Sequence, residues 1–276
     1  MAMVLTDDTN YKNIAQALRD NGPSSSANYK PSEMANVIYS IPPTHYQIGY
    51  SEGLGHGKQA EYDAFWDAYQ QNGNRTDYTE GFCFVGWTDE TFKPKYDITI
   101  RGGRYVFYNS RITDLKQRLI DCGVKMLFDN AYCRDLSYFC QNMPVTYLPE
   151  IGGQAVTILN YAFQMSSQLK SIDKITASNT APCNFLNAFQ QCYALTDIAF
   201  SEDITPNNLN LQWSPITPES MKNIILALKN LTGTGSEYAY TITFNDACWE
   251  ALEADSTAPG GITWAEYTRD IKGWNI

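Results

Sequence analysis

A phenylalanine followed at +6 and +9 by aliphatic side chains recurs through the middle of this chain. Phe139 leads to Val145 and Leu148, Phe163 to Leu169 and Ile172, and Phe189 to Leu195 and Ile198. Phe107, Ile112 and Leu115 fit the same frame with one residue deleted. The anchors lie 32, 24 and 26 residues apart. Self-similarity at this period predicts a solenoid, in which each unit buries its apolar face only by stacking on its neighbours. In each unit the Phe is expected to plug the core from one side. The aliphatic pair is expected to face inward from a short strand. Cys140, Asn142, Ser166 and Cys192 fall where small or polar residues close the turn. The repeat occupies residues 101–213.

A solenoid needs ends that cover its last hydrophobic faces. Downstream, over 214–276, Thr217 reads as an N-cap and Pro218 as a first helical residue. Met221, Ile224, Ile225 and Leu228 form that helix's apolar stripe. Tyr238 to Phe244 alternate like a strand. Asn245 and Thr263 are placed to cap two further helices, one carrying Trp249 and Leu252, the other Trp264, Tyr267 and Ile271. Upstream, over 45–100, a glycine-rich stretch (Gly49, Gly53, Gly55, Gly57) precedes a helix with Tyr62, Phe65, Trp66 and Tyr69 on one face. An aromatic, turn-rich segment follows and is expected to cap the first coil. Residues 1–44 read as a helical hairpin. Ile14 and Leu18 mark its first helix; Met34, Val37, Ile38 and Ile41 mark its second, which Pro42-Pro43 ends. Forty-odd residues bury too little core to stand alone, so the hairpin is read as an anchor or a homo-oligomerisation element. The fold class expected is α+β: an N-terminal helical hairpin, a short degenerate solenoid, and an α/β C-terminal cap.

Composition narrows the chemistry. A formal charge of -10 from 20 Lys plus Arg against 30 Asp plus Glu disfavours a nucleic-acid partner. Hydrophobic residues make up 43% and charged residues 18%, the balance of an ordered chain. Seven cysteines (Cys83, Cys122, Cys133, Cys140, Cys183, Cys192, Cys248) include no CxxC pair. They read as buried free thiols and point to assembly in a reducing cytoplasm. No apolar run suits a secretory signal or a membrane span.

The motifs of catalysis fail one by one. The two histidines, His45 and His56, lie at metal-ligand spacing from no Cys or second His. Gly53 to Gln59 superficially suggests a phosphate loop, but the glycine-to-lysine spacing is wrong and Gln59 stands where Ser or Thr is required. No GxSxG elbow is present. Glu61/Asp63, Asp89/Glu90, Glu202/Asp203 and Glu253/Asp255 are the carboxylate pairs a glycan hydrolase would draw on, and they read better as solvated surface. Asp246, Glu250 and Glu253 share a helical face without forming an EF-hand. No catalytic residue, cofactor or metal is expected. For a binding solenoid, the residues interleaved with the inward aliphatics are the candidates: Thr146 and Tyr147, Lys170 and Ser171, Thr196 and Asp197.

The stretches KQAEYDAFWDAYQQNGNRTDY, GWTDETFKPKYDI and ITDLKQRLIDCGV resemble leucine-rich-repeat proteins of gut Firmicutes and their phages. The repeats are similar to the BspA-like class of bacterial surface leucine-rich repeats. SPITPESMKNIILALKNLTG and ITWAEYTRDIKGWNI resemble that family's closing segment. IAQALRDNGPSSSANYKPSEMANVI resembles the helical hairpin that begins phage tail and baseplate accessory proteins. The chain departs from the regular repeat in its short first unit and at Met143-Pro144. The resemblance implies a virion-associated or surface-exposed binding protein and supplies no catalytic residues. The expected function is a phage or prophage tail or receptor-binding accessory protein. Its expected partners are other virion proteins and a host-surface protein or glycan. A cell-surface adhesin and a cell-wall glycan hydrolase are the competing readings.

Overall fold

The computed structural model describes Phe84 and residues 86–276. All belong to the second of the two units into which the chain divides, Gln59–Ile276. The helical hairpin read over 1–44, the glycine-rich stretch and the helix carrying Tyr62 to Tyr69 lie outside the described residues, as do His45, His56 and Cys83.

The described chain is a β-solenoid of about four turns with four helices. Its strands pair in parallel, as successive coils of one winding must. β1 (Ile98–Ile100) pairs with β2 (Met126–Phe128). β3 (Tyr147–Gly152), β4 (Ser171–Thr176), β5 (Cys183–Asn184), β6 (Asp197–Phe200) and β7 (Pro206–Asn207) follow. β3, β4 and β6 form the largest sheet, in that order, and β5 pairs with β7. The register runs Leu148↔Ile172↔Ile198, so the inward aliphatics of three coils stack in one column. All of them are buried, as are Val145, Leu169 and Leu195. Pro149 is accommodated because β3 is an edge strand of this sheet, where its missing N–H breaks no ladder bond. β3 ends at Gly152, with φ +94° and Thr176 O at 2.2 Å from where a Cβ would sit, so no other residue fits there.

The turns on the opposite side carry a periodic backbone signature. Tyr105, Tyr138, Tyr161 and Asn187 have φ between +52° and +59°. Asn109, Asn142, Met165 and Gln191, each four residues on, also lie in the left-handed region. Each such residue costs on the order of 1 kcal/mol. Coil-to-coil hydrogen bonds over-determine the conformation. Tyr138 N–H donates to Asn160 O at 3.0 Å, Tyr161 N–H to Leu186 O at 2.9 Å, and Met165 N–H to Gln190 O at 2.9 Å.

These bonds correct the register read from sequence. Phe107 N–H donates to Phe139 O, and Cys140 N–H to Ala162 O. In a parallel ladder this aligns Phe107, Cys140, Phe163 and Phe189. Phe139 sits one place earlier, over Ala162 and Ala188, where small side chains leave room for its ring. The first two coils therefore share one shorter spacing, Phe107 to Ile112 and Cys140 to Val145. The later two share a spacing one residue longer. A second correction concerns Leu115, read as a strand residue. It opens helix α1 (Leu115–Cys122), because the Asp114 side chain accepts the Gln117 N–H at 2.8 Å and caps a helix there. Gly123, left-handed at φ 65°, ends α1.

Helices close the last coil as well. α2 (Pro218–Ala227) is capped by Thr217 and buries Met221, Ile224 and Ile225. Its Ser220 is buried, and its Oγ accepts the Ile198 N–H and donates to Ile198 O, both at 2.9 Å. One hydroxyl thereby satisfies an edge of β6 that would otherwise be open. α1 lies against β3 and α2 against β6. Of the stretch Tyr238 to Phe244, only β9 (Ile242–Thr243) is strand, and it pairs with β8 (Leu209–Asn210). α3 (Asp246–Ala254) is capped by Asn245. α4 (Trp264–Glu266) has a capping box of Thr263 and Glu266 and runs into a π-helical turn, Tyr267–Ile271. The chain's last rung lies on β9's side: Ile242 N–H donates to Asn275 O at 3.1 Å, and Asn275 N–H to Tyr240 O at 3.0 Å.

Candidate functional site

Of the six residues singled out from sequence, Tyr147, Ser171 and Asp197 open β3, β4 and β6 side by side, and Thr146, Lys170 and Thr196 immediately precede them. Tyr147, Ser171 and Asp197 are direct register partners across the three coils. Strand neighbours of this kind lie roughly 4.8 Å apart. Thr146, Lys170 and Thr196 form the adjoining row. Lys170 N–H donates to Thr146 O at 2.8 Å, and Thr196 N–H to Lys170 O at 3.0 Å. The row continues into both capping helices, since Thr146 N–H donates to Thr113 O and Thr217 N–H to Thr196 O. Tyr147, Lys170 and Asp197 are exposed; Thr146, Ser171 and Thr196 are half-buried.

Within this stripe the Asp197 carboxylate is positioned rather than loose. It accepts from Thr196 Oγ1 at 2.7 Å and from Thr217 Oγ1 at 3.1 Å. Farther along the same strands the charges are neutralised in pairs. Lys116 meets Asp173 at 2.8 Å, and Lys174 meets Glu150 at 2.9 Å. Partial burial of Glu150 works against its ionisation. Hydrogen bonds from Thr176 and Lys174, together with the Lys174 charge, outweigh it and hold the carboxyl below its usual range. The upper end of the sheet thus offers a phenol, an ammonium, a fixed carboxylate and hydroxyls. Beneath it lies a face of internally satisfied ion pairs.

Each carboxylate pair considered for hydrolysis occupies a separate place. Asp89 accepts the Thr113 N–H and hydroxyl. Asp255 binds Lys222 at 2.5 Å and accepts from Thr257 Oγ1. Glu202, Asp203, Asp246, Glu250 and Glu253 are exposed, and Glu61 and Asp63 lie outside the described residues. Among the described residues, the carboxyls whose ionisation the fold displaces, Glu150, Glu237, Asp255, Glu266 and Asp270, all move down, away from what a general acid needs. Among the described residues, no group of His, Cys, Asp and Glu is arranged to hold a metal ion. Among them also, no helix is long and apolar enough to cross a membrane.

The turn side carries features the sequence reading missed. Tyr105, Tyr138 and Tyr161 stack in a column, with centroids 4.6 and 5.0 Å apart and planes within 3° and 6°. Beside them Gln141 donates its side-chain amide to Gln164, and Gln164 to Gln190. Tyr193 and Trp213, both exposed, form an edge-to-face pair at 6.0 Å. The signal for the tyrosine column was a Tyr two residues before three of the four aligned anchors: Tyr105 before Phe107, Tyr138 before Cys140, Tyr161 before Phe163, with Asn187 in that place before Phe189. Taking Phe139 as the anchor hid it. No family model, curated protein or solved structure matches this chain.

Proposed function

We propose that this chain is a non-enzymatic, virion-associated protein of a phage or prophage, a tail or receptor-binding accessory component. In this reading the solenoid belongs to the BspA-like leucine-rich-repeat class, and its sheet stripe contacts a host-surface protein or glycan. The observation that carries the binding reading is the continuous row of Tyr147, Ser171 and Asp197 over Thr146, Lys170 and Thr196. Three coils contribute equivalent positions to one surface, and those positions differ chemically from coil to coil. That is how a repeat scaffold encodes recognition without changing its core. The phage assignment rests on the resemblance of the N-terminal and flanking stretches to phage tail and Firmicutes leucine-rich-repeat proteins.

Mass spectrometry of density-banded particles from an induced source strain tests the assignment. The chain is expected at fixed stoichiometry in intact virions. Its absence from particles, with presence on cells or in cytoplasm, would overturn it.

A further inference from the structure

The tyrosine column is also a place where the coils can be joined covalently. We propose that Tyr105, Tyr138 and Tyr161 form an oxidative cross-linking site, at which a one-electron oxidant such as a peroxide-fed haem joins neighbouring coils through dityrosine. Three observations carry this. The rings are in contact and nearly parallel, with centroids 4.6 and 5.0 Å apart. Their backbones are fixed in the left-handed region by coil-to-coil hydrogen bonds, so the pairs persist instead of meeting by chance. All three side chains are half-buried, which leaves them within reach of a diffusible oxidant while shielding the resulting radicals.

The chemistry balances. Two phenols each give up one electron and one proton. The two phenoxyl radicals join through ortho carbons. The displaced ortho hydrogens move to the oxygens and restore two phenol hydroxyls. Two electrons and two protons leave overall, and they reduce one hydrogen peroxide to two waters. A link between Tyr105 and Tyr138, or between Tyr138 and Tyr161, would staple one coil to the next. No disulfide does so among the described residues, whose six cysteines are all free. The inference is independent of what the sheet stripe binds.

The full chain, dilute enough to stay uncrosslinked between molecules, is exposed to light with tris(bipyridyl)ruthenium and persulfate. Biphenol fluorescence is followed, and the linked peptides are mapped by mass spectrometry. Intramolecular links within the stack are expected to dominate. Tyr138→Phe keeps the ring and the packing but removes the shared phenol, and should abolish them. Tyr105→Phe and Tyr161→Phe should each remove one junction and spare the other. The same chain unfolded in urea should lose the preference. Links that map instead to Tyr193 or Tyr238, the more exposed tyrosines, or a yield unchanged by Tyr138→Phe, would overturn the proposal, as would no linking at all.

Discussion

At the residue scale the fold depends on a few side chains that complete what the backbone leaves open. Ser220 is the plainest case. Its hydroxyl serves both the N–H and the C=O of Ile198 inside the core. Ser220→Ala would leave both unsatisfied, so it should destabilise the protein by about 1–3 kcal/mol in urea unfolding. A shift within experimental scatter would show that water reaches this edge. The thiols make a second test. Burial pushes Cys133 and Cys192 up to about 12 and Cys183 up to about 11, and raises Cys140 strongly. At neutral pH the native protein should therefore be alkylated at the half-buried Cys122 well before these four, which should label only as fast as the chain opens. Peptide mapping over time reads the order directly, and prompt labelling of Cys140 would contradict its place in the core. That these cysteines behave as small hydrophobes was legible from their apolar neighbours. That Cys140 replaces a phenylalanine in the anchor column was not, because Phe139 beside it satisfied the same pattern.

At the element scale, helix and strand are interchangeable in this winding, and capping decides between them. The coil of Thr113 and the coil of Thr146 share a ladder, yet Asp114 starts α1 where Tyr147 starts β3. The aliphatic spacing alone carried no information on that choice. The C-terminal helices were legible because Thr217, Asn245 and Thr263 are strong caps ahead of apolar stripes. The closing rung was not, since Trp274 and Asn275 act through long-range partners. Trp274 is fully buried and donates Nε1 to Lys229 O at 2.9 Å. Trp274→Ala should lower stability by ~3–5 kcal/mol, visible as a lower midpoint in chemical unfolding. A negligible change would mean the last rung is dispensable. Asp255 ties the end of α3 to α2 through Lys222. Hydrogen bonding from Lys222 and Thr257 lowers its carboxyl from 3.8 to about 2. Because the folded value is the lower one, this stabilisation is full above about 3.8 and disappears as pH falls toward 2. Asp255→Asn should flatten the stability profile in that acid window and leave its slope near neutrality unchanged.

At the scale of the whole molecule, the solenoid keeps its interior nearly constant and varies its surface. The repeat made the interior legible: Phe163, Leu169 and Ile172 announce the coil that Phe189, Leu195 and Ile198 repeat. The candidate stripe was legible too, because strand alternation dictates that Tyr147, Ser171 and Asp197 point outward if Leu148, Ile172 and Ile198 point in. What the repeat hid, as long as Phe139 stood as its anchor, was the second ordered face, the stacked tyrosines and linked glutamines. Tyr138 and Gln141 fall into line with Tyr105, Tyr161, Gln164 and Gln190 only once Cys140 takes the anchor's place.

The most direct measurement is binding of the purified, fluorescently labelled full chain to intact cells of the host strain. Saturable binding is expected. Combined Tyr147→Ala, Lys170→Ala and Asp197→Ala should weaken it by about tenfold or more, a loss of roughly 1.4 kcal/mol at least, while Tyr193→Ala on the turn side leaves it unchanged. Undiminished binding by the triple variant would contradict the sheet stripe as the recognition surface, and no binding to any host cell would contradict the account as a whole.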